Sequence, residues 1–302
     1  MPDLSLQGRV ALVAGASRGI GAATAEAFAA AGAAVVLGAR DLHALESVAQ
    51  RIESAGGRAI AVRADVADVD SMRNLVDRGL AAFGRLDAAF NNATDGPLPA
   101  PLADIDPAEF DRGIATNIRG TFLGMKFQIP AMLRTSGGGR SAGAGAERRG
   151  GTSTARGREE QSGGAIVNMA SVAGLTGTAN LAAYVAGKAG IVGLTKVAAL
   201  DYADQGVRVN VVAPGPILTH HLRAAGPEAQ RLAGLSTPMR RTGTAEEVAQ
   251  TVVWLCSDQS SFITGAVIPI DGGQSAGNKP PQMYRQGQGM TGAAPNQRTA
   301  SA

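Results

Sequence analysis

The sequence predicts a single α/β domain built on a mostly parallel, seven-stranded sheet, doubly wound with helices on both faces. Short, continuously apolar runs rich in β-branched residues recur along the chain, and such runs are typical of strands buried on both faces. Longer segments with apolar residues at helical spacing separate these runs. The alternation favours a parallel sheet, because each crossover between parallel strands needs a long connection. We expect the domain to occupy residues 1–274.

Seven strands and six helices account for this pattern. The predicted strands are Arg9–Ala14, Ala34–Leu37, Ala59–Val62, Leu86–Phe90, Ile166–Met169, Val207–Val212 and Ala266–Ile270. The predicted helices are Ala22–Ala31, Leu42–Ala55, Met72–Phe83, Phe110–Leu133, Ala245–Leu255 and one that contains Tyr184 and Lys188. The polar segment Leu218–Met239 contains Gly226-Pro227 and is expected to be a loop.

Composition narrows the class of protein. The chain has 302 residues, 45% of them hydrophobic, which suffices for one large core. The single cysteine, Cys256, excludes an internal disulfide and suits a reducing compartment, so we expect a cytoplasmic protein. The N-terminus, Met1–Gly8, lacks the basic and apolar regions of a signal peptide. No unbroken apolar run approaches the ~18 residues of a membrane span, so no membrane association is expected.

The basic pI of 9.3 belongs to two segments rather than to the predicted fold. Thr135–Gly163 carries a net charge of +2 and Ser275–Ala302 one of +3, which leaves −2 of the total +3 for the rest of the chain. A nucleic-acid-binding surface needs basic residues on a folded face, so we expect no nucleic-acid partner. Both segments are too poor in apolar residues to form a core. We therefore expect a disordered insertion at 136–163 and a disordered tail at 275–302.

A glycine-rich turn, Gly15–Gly21, joins the first predicted strand to the first helix. In a strand–turn–helix–strand unit such a turn predicts a dinucleotide site. Gly15 permits the tight turn, Gly19 lets the backbone approach a pyrophosphate, and Gly21 lets the helix pack on the strand. The N–H groups at the helix N-terminus then face the phosphates. Alternatively, Gly15–Gly21 is an ordinary glycine turn between a strand and a helix, without a dinucleotide site.

The end of the second strand indicates which dinucleotide binds. A cofactor with a free ribose 2′-hydroxyl needs a carboxylate there, and Ala39 cannot provide one. Arg18 and Arg40 suit a 2′-phosphate, because a guanidinium binds phosphate oxygens in a fork geometry. We therefore expect NADP(H) rather than NAD(H), although Asp41 complicates the prediction. Alternatively, both arginines are solvated surface residues.

Polar residues follow the other strands. Asp65, Asn91 and Ser171 each lie at or just beyond a predicted strand, and Pro214 lies just beyond another. The carboxyl ends of parallel strands meet at one edge of a sheet, where ligands of doubly wound folds bind. Asp65 could cap the next helix or hydrogen-bond an adenine amine.

Tyr184 and Lys188 are four residues apart in a predicted helix, so their side chains project from one face. A nearby ammonium, like an oxidised nicotinamide, favours a phenolate over the neutral phenol. We therefore expect the pKa of Tyr184 to lie below the ordinary value of about 10.

These motifs resemble those of the short-chain dehydrogenases/reductases, such as 3-oxoacyl-carrier-protein reductases and glucose dehydrogenases. The resemblance runs from about Leu6 to Gly273. The elements that carry it, in order, are Gly15–Gly21, Asn91-Asn92-Ala93, Asn117, Ser171, Tyr184 with Lys188, Pro214-Gly215 and Asp271-Gly272-Gly273. Each is weak alone, but their order makes the set specific.

The resemblance implies a Rossmann fold and a role for each catalytic residue. Tyr184 would exchange a proton with the substrate oxygen, and Ser171 would orient that oxygen. Lys188 would lower the pKa of Tyr184 and hold the nicotinamide ribose, while Asn117 would hold a water that links Lys188 to solvent. Thr219 would contact the nicotinamide carboxamide. With the glycine turn, the implied cofactor-binding set is Gly15, Ser17, Arg18, Gly19, Ile20, Gly21, Arg40, Asp65, Val66, Asn91, Ala93, Tyr184, Lys188, Pro214, Gly215, Ile217 and Thr219.

Three departures from the family pattern stand out. Ala14 replaces a frequent Thr, and Thr94 replaces the Gly that usually follows Asn-Asn-Ala. The segment Thr135–Gly163 falls where related chains have only a few residues. We expect it to enter the fifth strand from the amino end, away from the active site. No cluster of Cys or acidic residues accompanies His220 and His221, so no metal site is expected.

The sequence therefore predicts an NADP(H)-dependent oxidoreductase that interconverts a ketone and a secondary alcohol, with reduction favoured. Its substrate would be a small carbonyl compound or alcohol in a pocket lined by Leu98, Leu102, Val172, Leu175 and Leu181. The family resemblance implies a homotetramer or dimer through the helices of Asn117 and Tyr184. Two alternatives stay open: an NAD(H)-dependent alcohol or sugar dehydrogenase, and a dinucleotide-binding sensor or scaffold without turnover.

Overall fold

A computed structural model describes residues 5–96, 98–136 and 163–277. Its centre is a sheet of seven parallel strands in the order β3-β2-β1-β4-β5-β6-β7. The strands are β1 (Val10–Ala14), β2 (Ala34–Ala39), β3 (Arg58–Arg63), β4 (Ala88–Asn91), β5 (Gly164–Met169), β6 (Val207–Pro214) and β7 (Val267–Ile270). The strand order reverses between β1 and β4, so the predicted doubly wound α/β fold is confirmed. The sheet is parallel throughout.

The helices cover both faces of this sheet. They are α1 (Gly19–Ala30), α2 (Leu42–Ser54), α3 (Val69–Phe83), α4 (Pro107–Ile114), α5 (Gly120–Ser136), α6 (Ala182–Tyr202), α7 (His220–Ala224), α8 (Gly226–Leu235) and α9 (Ala245–Cys256). Polar caps fix several starts. Asp41 accepts a hydrogen bond from the Ala44 amide at 3.0 Å, and Thr244 forms a capping box with Glu247.

Two apolar clusters, one on each face, hold the helices to the sheet. Side chains alternate across a strand, so neighbours in β2 enter different clusters. Val35 packs in the cluster that contains Phe28 of α1, while Val36 packs in the cluster that contains Leu75 of α3. All four are buried. The strands are therefore apolar on both faces, which explains why they form continuous apolar runs in the sequence.

The long helix predicted at Phe110–Leu133 is corrected by the structure. α4 ends at Ile114, a π turn follows at Ala115–Arg119, and α5 begins at Gly120. Asn117 lies in the π turn, where the register of the backbone hydrogen bonds changes. Such turns are rare and occur frequently at functional sites.

The segment Leu218–Met239 is also corrected, because it is not a loop. It contains the short helix α7 and the longer helix α8. Gly226-Pro227, which the sequence analysis assigned to a turn, instead begins α8. Proline suits this position because the first helical residues need no N–H donor.

Among the described residues, one stretch, Ala182–Gln205, is long and apolar enough to cross a membrane, with a mean hydropathy of 1.3 in its most apolar window. The expectation of no such stretch rested on unbroken apolar runs, whereas Lys188 and Lys196 interrupt this one and leave its mean hydropathy apolar. In the structure α6 packs against β6, with Ile191 and Ala199 buried. It is a core helix of this domain.

The described chain stops at Ser136 and resumes at Gly163, both beside the amino edge of the sheet. The Thr135 hydroxyl lies 3.4 Å from the amide of Leu86, before β4. The Gly163 amide donates to the carbonyl of Gly206, just before β6. The insertion predicted at 136–163 lies, apart from its two end residues, outside the described residues. The predicted tail at 275–302 is described only as far as residue 277.

Candidate active site

Four predicted catalytic residues come from three elements at the carboxyl edge of the sheet. Ser171 follows β5, Tyr184 and Lys188 lie one turn apart in α6, and Asn117 lies in the π turn. The Ser171 side chain lies close enough to the Tyr184 phenol to lower its pKa by hydrogen bonding. The predicted pairing of Tyr184 with Ser171 beside Lys188 is therefore present in the folded chain.

The turn that carries Ser171 is packed tightly on α6. Ser171 accepts a hydrogen bond from the amide of Ala173 at 3.2 Å, which caps a short 3₁₀ turn. A Cβ atom on Gly174 would lie 2.7 Å from the carbonyl carbon of Lys188, so only glycine permits this approach. The close packing sets the distance between Ser171 and the reactive face of α6.

Lys188 is a buried cation with a single hydrogen bond to the main chain. Its side chain is 1% exposed, and its Nζ donates to the Met169 carbonyl oxygen at 3.0 Å. The same nitrogen lies 5.6 Å from the centre of the Tyr184 ring. Burial disfavours the charged form and lowers the pKa of Lys188 to about 7.

The predicted depression of the Tyr184 pKa is corrected. Burial raises the pKa of the phenol above its ordinary value, and the hydrogen bond from Ser171 offsets this only in part. The expectation gave Lys188 the larger effect. In the structure the Lys188 ammonium is itself desolvated, and its hydrogen bond goes to Met169 rather than to the phenol. Without a further positive charge, Tyr184 is therefore a protonated donor near neutral pH.

Asn117 is fully buried and joins two elements. Its side-chain nitrogen donates to the carbonyl oxygens of Asp95 and of Gly113, the latter at 2.8 Å. Its side-chain oxygen accepts from the Thr94 hydroxyl at 2.9 Å, and its main-chain oxygen accepts from the Thr121 hydroxyl at 2.8 Å. The amide group is thus fully used in holding the loop after β4 to α4.

The glycine turn has the shape that a dinucleotide needs. Gly15 has φ +89°, and a Cβ there would lie 2.7 Å from the amide nitrogen of Ala93. A Cβ on Gly21 would lie 1.9 Å from the carbonyl oxygen of Gly15. The first turn of α1 therefore stands against the end of β1, with its free N–H groups at the carboxyl edge. Asn92, which the sequence analysis did not assign, donates to the Gly15 carbonyl at 2.8 Å.

Four other residues of the predicted cofactor set, Ser17, Ile20, Asp65 and Val66, differ in what they contact. Ile20 packs on the cluster around Phe28, and Ser17 lies in the turn itself. Asp65 accepts from the amide of Ala67 at 3.0 Å, which occupies one of its carboxylate oxygens. Val66 is buried against Gly120.

The side chain of Asn91 points into a buried polar network rather than towards the glycine turn. It exchanges hydrogen bonds with Gln128 and donates to the side-chain oxygen of Asn168 at 2.9 Å. Asn168 in turn donates to the Thr195 hydroxyl at 3.0 Å. This network joins β4 and β5 to α5 and α6. Only the main chain of Asn91 therefore remains for a ligand, as at Ala93.

Three arginines lie at the carboxyl edge near β2. Arg18 caps α1, Arg40 follows β2, and Arg63 ends β3 with its Cα paired to that of Ala39. All three are exposed, and none forms an ion pair within the described residues. Asp41 is engaged as the cap of α2. Arg63 was not identified from the sequence, because it lies beside Ala39 only through the register of β2 and β3.

The segment after β6 closes the site from the other side. Gly215 donates its amide to the Ile270 carbonyl at 3.0 Å, directly after Pro214. Ile217 is buried and forms a parallel bridge with Gly243. A Cβ on Gly19 would lie 3.6 Å from the methyl carbon of Thr219, so this threonine stands beside the glycine turn. The Thr219 hydroxyl does not cap the helix that follows.

A cavity of about 330 Å³ lies behind this segment, against the end of β7. It is lined by residues such as Ile217, Met239 and Asp271, and by none of the four predicted catalytic residues. In the described part of the chain, no group of three or more His, Cys, Asp or Glu side chains could hold a metal ion. His220 and His221 contact each other edge to face at 5.9 Å.

Comparison with known proteins agrees with this fold. The family model described as short chain dehydrogenase matches residues 9–140, and the model described as enoyl-(acyl carrier protein) reductase matches residues 152–275. The A-factor type gamma-butyrolactone 1'-reductase (1S-forming) of Streptomyces virginiae is 38% identical, over 89% of this chain and 96% of the relative. The 2,5-dichloro-2,5-cyclohexadiene-1,4-diol dehydrogenase of Sphingobium indicum is 39% identical, over 91% of this chain and 100% of the relative.

A solved structure gives the same result. The crystal structure of levodione reductase superposes with a TM-score of 0.78 at 33% identity, over 90% of this chain and 99% of that one. The fold and these relatives thus define a dinucleotide-dependent oxidoreductase of the Rossmann type. The chain belongs to the short-chain dehydrogenase/reductase family, whose members act on CH–OH groups and the corresponding carbonyls with a nicotinamide dinucleotide.

Proposed function

We propose that this chain is an NADP(H)-dependent oxidoreductase that interconverts a ring-borne ketone and a secondary alcohol, with reduction favoured. The observation that carries the proposal is the placement of the Ser171 side chain beside the Tyr184 phenol, whose pKa it lowers, with the buried Lys188 nitrogen 5.6 Å from the tyrosine ring. A hydroxyl pair at the carboxyl edge, with a titratable lysine behind it, suits proton transfer to a carbonyl oxygen.

The nicotinamide, when bound, supplies or accepts the hydride, so the protein has to orient the substrate and move one proton. In reduction, Ser171 donates a hydrogen bond to the carbonyl oxygen and Tyr184 gives that oxygen its proton. The raised pKa of Tyr184 keeps the phenol protonated at neutral pH, as a general acid must be. Lys188, with a pKa of about 7, can hold a proton or release it in the working range. Asn117 lies beside α6 and would reach the proposed relay only through its main-chain oxygen, because its side-chain amide is already fully hydrogen-bonded.

The three arginines at the edge of β2 and β3 support NADP(H) over NAD(H). A 2′-phosphate beside Ala39 would meet cationic side chains, and a guanidinium binds phosphate in a bidentate manner. The Asp41 carboxylate, which could have favoured a 2′-hydroxyl, accepts the amide of Ala44 instead. We assign Arg18 and Arg40 to this contact, with Arg63 as a third candidate.

A ring-shaped apolar substrate fits both the relatives and the chain. The two curated relatives described above are named for a butyrolactone and for a cyclohexadiene diol. In this chain Leu98 and Leu102 are 86% and 77% exposed, and Leu175 is 37% exposed. The Ala100 amide donates to the Asn180 carbonyl at 3.0 Å, which fastens the Leu98–Leu102 loop beside the start of α6. These leucines would cover the apolar part of a ring.

We further propose that the enzyme is a cytoplasmic homodimer or homotetramer, joined through α5, which follows Asn117, and through α6, which contains Tyr184. Phe122 of α5, and Val197 and Leu200 of α6, are 46%, 56% and 82% exposed. Large apolar side chains on adjacent helix faces indicate a surface covered by another protein. The apolar residues of α6 would then serve both in the core of the domain and at the contact between subunits.

The test measures oxidation of NADPH and of NADH in parallel, against cyclic ketones, diketones, β-ketoacyl thioesters and sugars, with Tyr184→Phe as control. We expect turnover of a cyclic ketone with NADPH and a loss of about 10²–10⁴-fold in the variant, the usual contribution of a general acid. A preference for NADH would favour the alternative NAD(H)-dependent alcohol or sugar dehydrogenase. Binding of NADPH without turnover of any compound would favour a sensor or scaffold.

A further inference from the structure

We propose that Thr94 is a positioning residue for the reaction. Its hydroxyl fixes the amide of Asn117, and through that amide it holds the loop 94–96 against Tyr184. The inference rests on the proposed function, because Tyr184 must be the proton donor for the loop to affect turnover.

The contacts form a closed set around the amide of Asn117. The Thr94 hydroxyl donates to the side-chain oxygen at 2.9 Å, while the side-chain nitrogen donates to the carbonyl oxygens of Asp95 and Gly113. Both N–H groups and the oxygen are thus paired. Thr94 and Asp95 belong to the loop after β4, whereas Gly113 belongs to α4. The amide therefore ties this loop to the helix.

Burial gives the Thr94 contact its importance. Asn117 is 0% exposed, and a buried acceptor without a partner destabilises the folded arrangement. The two carbonyl acceptors already orient the nitrogen, so the oxygen can face only the side on which Thr94 lies. Without the hydroxyl, the oxygen either stays unpaired or draws water into the loop. Both outcomes loosen the loop 94–96.

The loop and Asn117 both touch the helix that carries the proton donor. A Cβ on Gly187 would lie 2.8 Å from the Cβ of Asn117, and Gly187 directly precedes Lys188. A Cβ on Gly96 would lie 3.8 Å from two carbon atoms of Tyr184. The loop 94–96 therefore packs against one side of the Tyr184 side chain and forms a wall there. The hydrogen bond from Thr94 to Asn117 holds this wall in place.

The Thr94 hydroxyl faces Asn117, whereas its neighbours Asn92 and Ala93 are the residues of this loop that contact Gly15 of the glycine turn. Thr94 is exposed at the carboxyl edge beyond β4, while Arg18 and Gly19 belong to the turn between β1 and α1. Loss of the hydroxyl should therefore lower kcat and leave the KM for NADPH nearly unchanged.

The pH dependence gives a second readout. Burial raises the pKa of Tyr184, so a loosened wall that admits water lowers that pKa. In reduction Tyr184 acts as an acid, and activity falls as the phenol loses its proton. The alkaline limb of the pH–kcat profile should therefore move to lower pH when the Thr94 hydroxyl is removed.

The experiment compares Thr94→Val, which keeps the shape and removes the hydroxyl, with Thr94→Ser, which keeps the hydroxyl. With NADPH and the best ketone of the panel, we expect Thr94→Val to lower kcat about tenfold, with the KM for NADPH within twofold. We expect Thr94→Ser to stay within twofold of the parent protein. Thr251→Val is the matched control, because its hydroxyl bonds a carbonyl within α9, away from the site. Thermal unfolding of each variant checks the fold.

Each result decides a separate point. If Tyr184→Phe is as active as the parent protein, or if no ketone is turned over, the proposed function fails whatever Thr94 does. If Tyr184→Phe is inactive and Thr94→Val matches the parent in kcat and pH profile, the role of Thr94 is overturned. The same holds if Thr94→Ser is as impaired as Thr94→Val. A loss in Thr94→Val that is confined to the KM for NADPH also overturns it.

Discussion

The Nζ atom of Lys188 lies 3.0 Å from the carbonyl oxygen of Met169, the last residue of β5. This hydrogen bond holds the lysine against the sheet and beside Tyr184. A buried ammonium is nevertheless unfavourable, and burial lowers the pKa of Lys188 from 10.5 to about 7. Between about pH 7 and pH 10.5, Lys188 is protonated in the unfolded chain but not in the folded protein. Folding stability therefore rises with pH across this window and carries the full penalty below pH 7.

Replacement of Lys188 by Met should consequently stabilise the protein while it removes activity. We expect Lys188→Met to raise the free energy of unfolding by about 2 kcal/mol at pH 6, as the charge penalty disappears and the Met169 carbonyl loses its donor. The difference should shrink towards pH 10. Denaturant unfolding at pH 6, 8 and 9.5 measures it. A variant less stable than the parent at pH 6 would contradict the burial argument.

Ser171 lowers the pKa of Tyr184, in addition to orienting the substrate in the proposed function. The hydrogen bond between them lowers a pKa that burial raises, so Ser171→Ala should raise the pKa of Tyr184 further. For alcohol oxidation, which requires the phenolate, we expect kcat to fall about 10²-fold and the rising limb of the pH profile to move to higher pH. Stopped-flow measurements between pH 6 and 10.5 test this.

The matched control is Ser47→Ala, which removes a hydroxyl that bonds a helix carbonyl of α2 at 3.1 Å. It should leave the pH profile unchanged. An unshifted limb in Ser171→Ala, together with an unchanged kcat, would show that Ser171 does not act on Tyr184.

Ala39 should decide between the two cofactors. A carboxylate at this position would repel a 2′-phosphate and accept a hydrogen bond from a free 2′-hydroxyl. We expect Ala39→Asp to raise the KM for NADPH at least tenfold and to lower the KM for NADH. Ser54→Asp adds the same charge at the far end of α2 and is the control. An unchanged ratio of the two KM values would remove Ala39 and its neighbouring arginines from the 2′-phosphate contact.

Deletion of Gly139–Ser162 should leave activity within tenfold of the parent protein. The described residues on either side, Thr135 and Gly163, lie at the amino edge of the sheet, beside Leu86 and Gly206. The four proposed catalytic residues lie at the opposite edge. Steady-state kinetics with circular dichroism test the deletion. A greater loss in a variant that retains the fold would show that the segment contributes to the site.

Sequence reasoning located the sheet, and it placed Tyr184 and Lys188 on one helix, because both depend on local patterns. Buried parallel strands are apolar at every position, as in Val10–Ala14, so they are recognisable without their partners. Tyr184 and Lys188 are related by one helical turn, a relation that the sequence alone expresses. Parallel order also follows from the alternation of strand and helix.

The features that escaped prediction depend on contacts between distant residues or on small changes of register. The π turn at Ala115–Arg119 keeps almost the same apolar spacing as an α-helix, so periodicity does not detect it. Thr94 and Asn117 are 23 positions apart, and Arg63 lies beside Ala39 only through strand register. The rise in the Tyr184 pKa follows from burial, which is a property of the whole fold.

The ends of the segment between Pro216 and Gly243 are tied to each other by reciprocal hydrogen bonds. The Gly243 amide donates to the Pro216 carbonyl at 3.0 Å, and the Leu218 amide donates to the Gly243 carbonyl at 2.9 Å. These hydrogen bonds hold the two ends of the segment together, and they do not involve the residues between the ends. Residues 219–242 are therefore closed off as a unit, and replacing them with the matching segment of a relative should leave the sheet beneath them undisturbed.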